Sequence, residues 1–485
     1  MHDLPKSLVK AGVPALALAL AACNPGPVTS DTSTETGTTE VGDGDPGDGD
    51  PTGDGDGDPT GDGDGDPTGD GDGDPGDGDG DPGPVNPCTE GEDCDAIDFL
   101  IVIDNSVSMA EEQYVLADQY PTMMVRLMQL ADSEGPLNLD AHVMITTTDN
   151  GHPLCAPPIQ YQPLKGAPQT VPCVDRLRNF DLPDDTDVRD ACTNVCTSDG
   201  FAIKPNDPYI AFHAGGNNIP NGDVQGAFNC LAPQGVVGCE YSSPLEAVYR
   251  ALDPAASWNT GPRPFLRDGA RLAIMIIADG PDCSVLDPTG YQLFTNNMMN
   301  TFWELNPDTG TKTRSTPAVC WNTSVDCQGL NNGVYVNGCS TIDFGGLHPV
   351  DRYQDLLAGL DKDVMFLGIL GVPLVTQYAP DPPYYPLAGG ADAIVYRQWM
   401  DGIHPMGDFL MDSTLDAAHG EWLYGIGPGC TAESGGSFDA QALPPVRVKE
   451  VCESLNGEGN DVHCCIDSIC NPDFADIVDC LNPPG

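Results

Sequence analysis

The chain has 485 residues, with 19 Lys+Arg against 74 Asp+Glu and a formal net charge of −55. A chain so poor in cations excludes nucleic-acid binding and anionic-membrane binding, both of which depend on Lys and Arg. It suits divalent cations or basic partners, or simply solubility in salty surroundings. The length admits one large domain or two or three ordinary ones. The 19 cysteines point to an oxidising compartment. With no repeated C-x-x-C pair and no H-E-x-x-H, they do not favour structural zinc.

Residues 1–23 begin with Lys6 and Lys10 and continue into an apolar run over 11–22. The run is short for a membrane span and reads as an export signal. It ends Leu20-Ala21-Ala22-Cys23. These four residues resemble the lipobox of bacterial lipoproteins, which implies removal of residues 1–22 and a lipid on Cys23. An ordinary signal peptide cut nearby would instead leave Cys23 a spare thiol. Asn24 stands where an Asp would imply inner-membrane retention, so the resemblance implies an outer-membrane or cell-surface lipoprotein of a Gram-negative bacterium. The lipid would be its only anchor. Setting Cys23 aside leaves eighteen cysteines, enough for nine disulfides. Residues 23–87 are Thr/Ser-rich and then acidic, with repeats such as Gly53-Asp54-Gly55-Asp56-Gly57-Asp58-Pro59-Thr60. A stretch with so little to bury is expected to stay disordered. Roughly 60 such residues reach ~200 Å fully extended and ~45 Å as a flexible coil, which suits a stalk. The Asp-x-Asp spacing lacks the bidentate Glu and flanking helices of an EF-hand and the apolar residue of an RTX repeat.

Next comes the apolar run Phe99-Leu100-Ile101-Val102-Ile103, which reads as a strand buried on both faces. It ends in Asp104-Asn105-Ser106-Val107-Ser108. A carboxylate and two hydroxyls therefore alternate just beyond a central strand, where open α/β sheets place ligand sites. All are hard oxygen donors that suit Mg²⁺, Mn²⁺ or Ca²⁺. A plain N-cap cluster would use the same residue types. Asp104-x-Ser106-x-Ser108, followed by Met109 and by a later strand ending in Asp279-Gly280, resembles the D-x-S-x-S signature of von Willebrand factor A (VWA) domains. The resemblance implies an α/β fold with a doubly wound, mostly parallel, Rossmann-like sheet. It also implies a metal-ion-dependent adhesion site holding Mg²⁺ (or Mn²⁺ or Ca²⁺). Ser106 and Ser108 would bind the ion directly, and Asp104 and Asp279 directly or through water.

A helix follows, with Leu116, Tyr120, Met123, Met124, Leu127 and Leu130 at helical spacing; Pro121 is expected to kink or split it. Residues 139–147 read as a second strand, with His142 a packed or surface histidine. Thr146 to Asp149 end it at the same edge as the site, where cleft lining and turn chemistry explain them equally well. Residues 150–239 form an insertion with six cysteines, which disulfides are expected to hold. Cys192 with Cys196 and Cys230 with Cys239 are local candidates, as is Cys88 with Cys94 upstream. Residues 242–252 read as a helix, with Ser at the cap, Pro244 at its first position and Glu246 in its first turn. The VWA resemblance expects a Thr ahead of this helix as the third site oxygen; here Ser242 or Ser243 stands in its place, and plain N-capping explains either.

Residues 271–278 give another buried strand, ending in Asp279-Gly280, with Asp282 in a supporting place. A second cysteine-bearing insertion covers 283–343, then a helix over 350–360 and a strand over 363–370 continue the β-α-β alternation. The domain thus runs over 88–370, with disulfide-rich insertions at about 150–239 and 283–343. Residues 371–485 form an extension packing on it, with a helix over 444–455 and a short one over 473–481. Cys452, Cys464, Cys465, Cys470 and Cys480 staple a terminal turn, the adjacent Cys464 and Cys465 bonding to different partners.

No G-x-S-x-G, H-E-x-x-H or P-loop occurs, and no histidine stands beside the site motifs, so an enzyme is not expected. The expected role is a surface lipoprotein gripping an acidic protein or glycan through the metal. A disulfide-stabilised envelope scaffold is the alternative. A metal-assisted hydrolase on Asp104, Asp279 and Asp282 is the remote one, with His152, His213 and His348 as the imidazoles folding can bring near.

Overall fold

The computed structural model describes residues 96–130, 139–155, 161–182, 187–197, 204–213, 215–287, 289–381, 384–400, 417–432, 441–459 and 461–481. The expected export signal, Cys23, the stalk and the Cys88–Cys94 pair lie outside the described residues.

Strand β1 (Ala96–Ile103) is buried over nearly its whole length because its alternate side chains feed two cores. Phe99, Ile101 and Ile103 pack with Leu116, Tyr120 and Met123. Leu100 and Val102 pack with Leu245, Val248 and Tyr353 on the opposite face. A strand covered on both sides needs an unbroken apolar run rather than an alternating one. Helix α1 (Glu112–Leu130) follows and runs through Pro121 as one helix, so of the expected kink or split the split does not occur. The proline leaves the Ala117 carbonyl without its helical donor, a loss of ~3 kcal/mol. Against that, Leu116, Tyr120, Met123, Met124 and Leu127 are all buried, and each contributes roughly 1.5–3 kcal/mol. Tertiary packing decides. Pro121→Ala is accordingly expected to raise the unfolding free energy by about 1–3 kcal/mol, read from a urea midpoint at unchanged slope.

The main sheet and the longer helices continue with β2 (Asp140–Thr147), β3 (Ile210–His213), β4 (Gly216–Asn217), α2 (Val224–Leu231), α3 (Pro244–Ala251), β5 (Arg271–Ile277), α4 (Asp351–Gly359), β6 (Val364–Leu370), α5 (Ala417–Tyr424), α6 (Val446–Glu453) and β7 (Cys464–Ser468), with shorter helices and two-stranded ribbons between them. Seven strands form one sheet in the order β7-β6-β5-β1-β2-β3-β4. The first five are parallel and the last two antiparallel. Helices α1 and α2 and the 3₁₀ stretch Ala475–Leu481 cover one face; α3, α4 and α6 cover the other. The fold is mixed α/β, a mostly parallel sheet flanked by helices. The order of the parallel strands reverses between β1 and β5. The crevice that such a reversal opens lies at the carboxyl ends of those two strands.

Two stretches behave differently from their sequence reading. The insertion over 150–239 supplies the two edge strands β3 and β4 and helix α2. The stretch read as a stapled turn holds β7, which pairs in parallel with β6, so the sheet does not end at residue 370. Eight disulfides join the sixteen cysteines among the described residues. The expected local pairs are replaced by Cys173–Cys192, Cys196–Cys230 and Cys155–Cys239. Cys196 N donates to Cys192 O, so these two lie one turn apart and are directed to different partners. Cys464 and Cys465 do bond apart, to Cys452 and Cys480. So many disulfides fit folding in an oxidising compartment. No described helix is long and apolar enough to cross a membrane.

Candidate functional site

At the carboxyl end of β1 the chain turns on its own side chains. Asp104 is wholly buried, and its Oδ1 accepts from Ser106 N at 2.9 Å and from Thr148 Oγ1 at 3.2 Å. Its Oδ2 accepts from Ser242 Oγ at 2.7 Å. The Ser106 and Ser108 hydroxyls lie 3.0 Å apart. The backbone laces the loops together. Asp104 N donates to Ile277 O at 2.8 Å, Ser243 N to Thr148 O at 3.0 Å and Cys283 N to Ser242 O at 2.7 Å.

Asp279, at the end of β5, completes the group and differs from the rest. It is 1 % exposed, yet neither carboxylate oxygen has a partner in hydrogen-bond geometry among the described residues. Burial pushes its pKa well above the carboxylate range, and the neighbouring Asp104 carboxylate pushes it further, while the Ser108 hydroxyl pulls the other way. Burial also raises the Asp104 pKa, against the Ser242 and Ser106 bonds that lower it. Two like charges buried side by side disfavour each other unless a proton or a cation intervenes.

These residues line one cavity of about 60 Å³, together with Glu240, Pro281, Pro317, Leu423, Tyr424 and Leu443. Of the residues the sequence nominated, Asp104, Ser106, Ser108, Ser242 and Asp279 are thus brought together. Ser243 is not: its hydroxyl donates to Cys283 O at 2.7 Å. Although Ser243 occupies the N-cap of α3, its side chain does not cap the helix. The cap comes from Asp282 Oδ1, which accepts from Leu245 N at 3.1 Å, and from Ser284 Oγ, which accepts from Glu246 N at 3.0 Å. Asp282 also pairs with Arg447 at 2.9 Å, so it ties α3 to α6.

No described histidine lines the cavity. His152 stacks on Tyr241 with ring centroids 4.3 Å apart, and burial lowers its pKa to about 4. His348 lies 3.9 Å from Glu246, and His213 stands on edge strand β3. His142 is packed against Tyr209, with ring centroids 4.1 Å apart. His152, Cys155 and Cys239 converge as metal ligands would, but the two sulfurs are bonded to each other and have no thiolate to offer. A larger cavity of about 210 Å³, lined by Asn105, Tyr161 and Arg176, has no comparable cluster of carboxylates. Arg176 there donates to Leu231 O at the end of α2 and to Gln234 O just past it.

Sequence reasoning missed Glu240. Its signal is the alternation Glu240-x-Ser242, which in extended chain puts both side chains on one side. Solvent reaches Glu240 although the cleft walls crowd it, and it stands two residues from the Ser242 hydroxyl in the same cavity.

No family model matches the chain, and no curated protein matches it. Among solved structures, the chain is similar to the pilus adhesin RrgA from Streptococcus pneumoniae at 12 % identity and a TM-score of 0.23. That match spans 57 % of this chain and 39 % of the adhesin.

Proposed function

We propose that the chain is a cell-envelope lipoprotein whose α/β domain, VWA-like in its sheet, binds an acidic protein or glycan through a divalent cation. The carrying observation is Asp279, a buried carboxylate with both oxygens free of hydrogen bonds, set beside Asp104. Anionic side chains are not left buried and unpaired without a compensating charge. The donors are all oxygen, as Mg²⁺, Mn²⁺ and Ca²⁺ require. Asp104, Asp279 and the hydroxyls of Ser106, Ser108 and Ser242 would hold the ion, with Thr148 fixing Asp104 from behind. A bound cation would supply a charge centre for a partner's carboxylate. The strand order, with the cluster at its reversal, supports the VWA-like reading, and the disulfides support an exported protein. The lipid on Cys23, an outer-membrane location and binding rather than turnover belong to the same proposal. A scaffold whose ion only ties the loops is favoured by one observation, the wall of Pro317, Leu423, Tyr424 and Leu443 over the cavity.

Calorimetric titration of the full chain with Mg²⁺, Mn²⁺ and Ca²⁺, in enough monovalent salt to screen the acidic stalk, tests the site. One saturable event is expected. Ser242→Ala is expected to weaken it by about ten-fold. Ser243→Ala is expected to leave it unchanged while lowering stability by about 1 kcal/mol, the worth of its bond to Cys283 O. Equal effects of the two substitutions, or no saturable event, would remove the assignment. If the cation binds but acidic peptides and acidic sugars do not compete for it or depend on it, the scaffold reading stands.

A further inference from the structure

We propose that Glu240 is an internal carboxylate ligand of the cation, so that the folded protein holds its own acidic group where an outside carboxylate would dock. The proposal rests on the cation reading above and goes beyond it in naming what occupies the ion's remaining position.

Four observations converge. Glu240 lines the same small cavity as Asp104, Ser106, Ser108, Ser242 and Asp279. Its neighbours are fixed on both sides. Cys239 is bonded to Cys155, and its N–H donates to Asp149 Oδ2 at 3.1 Å; Ser242 is held by Asp104. The backbone therefore presents Glu240 to the cavity with little freedom. Two other carboxylates beside these loops are already engaged. Asp149 accepts from Gly151 N and Tyr161 Oη, and Asp282 pairs with Arg447. The Arg314 charge acts on Glu240, while Asp279 in the same cavity has two oxygens with no hydrogen-bond partner among the described residues. Finally, Pro281, Pro317, Leu423, Tyr424 and Leu443 wall the cavity, and Leu443 N donates to Asp279 O at 2.7 Å, tying that wall to the site. About 60 Å³ admits an ion and a water or two. With Glu240 in place, that volume leaves little room for a partner's side chain.

Counted at one oxygen each, Glu240 raises the side-chain donors from five to six. Six suit an ion that sheds its water readily; Mg²⁺ demands near-ideal octahedral geometry and keeps its waters, so Ca²⁺ is the better guest. An outside carboxylate would reach the ion only by displacing Glu240. Arg314, whose guanidinium lies 4.6 Å over the Trp422 ring, already acts on Glu240 and is the charge available to it if it leaves the ion.

The test compares the full chain with Glu240→Gln and Glu240→Ala, using Ca²⁺ calorimetry and water-proton relaxation of bound Mn²⁺. Glu240 is exposed at the cleft mouth, so both variants should fold, which circular dichroism checks. Both are expected to bind Ca²⁺ about ten-fold more weakly and to show about one more exchangeable water on Mn²⁺. Acetate titrated into the Mn²⁺-loaded variants is expected to remove that water at concentrations that leave the wild type unchanged. Wild-type Ca²⁺ affinity and hydration in both variants would overturn the proposal, leaving the cation site intact if Asp104→Ala still abolishes binding. Absence of saturable binding in the wild type would overturn both readings.

Discussion

Asp279→Asn is expected to abolish saturable cation binding and, at neutral pH, to make the cation-free protein more stable. A substitution in a buried site usually destabilises. Here the native residue is the source of the strain, because its carboxylate is buried beside Asp104 with no hydrogen bond to either oxygen. An unsatisfied buried group of this kind costs about 1–3 kcal/mol, more when charged. The amide removes the charge and part of that cost. The sign of the pH dependence follows. The folded pKa of Asp279 is raised above its unfolded value, so between the two the folded state holds more protons than the unfolded one. Stability then falls as pH rises through that window and stays lower above it. Cation-free wild type should lose stability on going from acid towards neutral pH, with the variant losing less, as urea midpoints across the range would read. Adding cation at ~100 times its Kd should return about 2.7 kcal/mol to the wild type and nothing to the variant. A variant less stable than wild type at neutral pH, or still binding the ion, would refute the strained-site account.

The second large effect sits at the other end of β1. Arg267 bridges Asp98 at 2.8 Å and Asp140 at 2.7 Å, and donates to Ile97 O at 2.8 Å. Lys362 reaches Asp98 at 3.5 Å and donates to Ala270 O at 3.0 Å. Burial pushes the Asp98 pKa up, and the Arg267 charge opposes it. Arg267→Met keeps much of the aliphatic volume but leaves two buried carboxylates without their shared cation, and it should cost about 3–5 kcal/mol. Asp98 and Asp104 are six residues apart, ~20 Å along a strand, so cation affinity should not change in the fraction that remains folded. A loss below about 1 kcal/mol would mean that solvent or Lys362 compensates the pair.

What was legible in the sequence divides by the range of the forces involved. The strands β1, β5 and β6 announced themselves because burial on both faces demands continuous apolar runs, and their ends located Asp104, Ser106, Ser108 and Asp279. Helix α3 was legible through Pro244 and its apolar spacing. The choice between Ser242 and Ser243 was not, since it depends on where Asp282 and Ser284 arrive from β5 to cap the helix in place of a serine. Strand β7 was hidden because Cys464-Cys465-Ile466-Asp467-Ser468 has no strong strand character alone; it becomes a strand by pairing with β6. The survival of α1 through Pro121 and the disulfide partners are tertiary in the same sense. Nearness in sequence proposed Cys230 with Cys239, whereas the folded chain brings Cys239 to Cys155, 84 residues away.

That last crosslink changes the topology of the folding problem. By the backbone alone, the end of β2 at Thr147 and the start of α3 at Pro244 are separated by the whole insertion. Through the Cys155–Cys239 bond the covalent path between them is only a dozen or so residues. Search time for pairing in parallel sheets grows with such separations, because loop closure must precede the contacts that reward it. An oxidised chain therefore brings the Asp104 loop, Thr148 and Ser242 together as near neighbours, while a reduced chain must find the same arrangement across a long, irregular tether. Oxidation would then act as a kinetic guide to the sheet as well as a brace on the finished one.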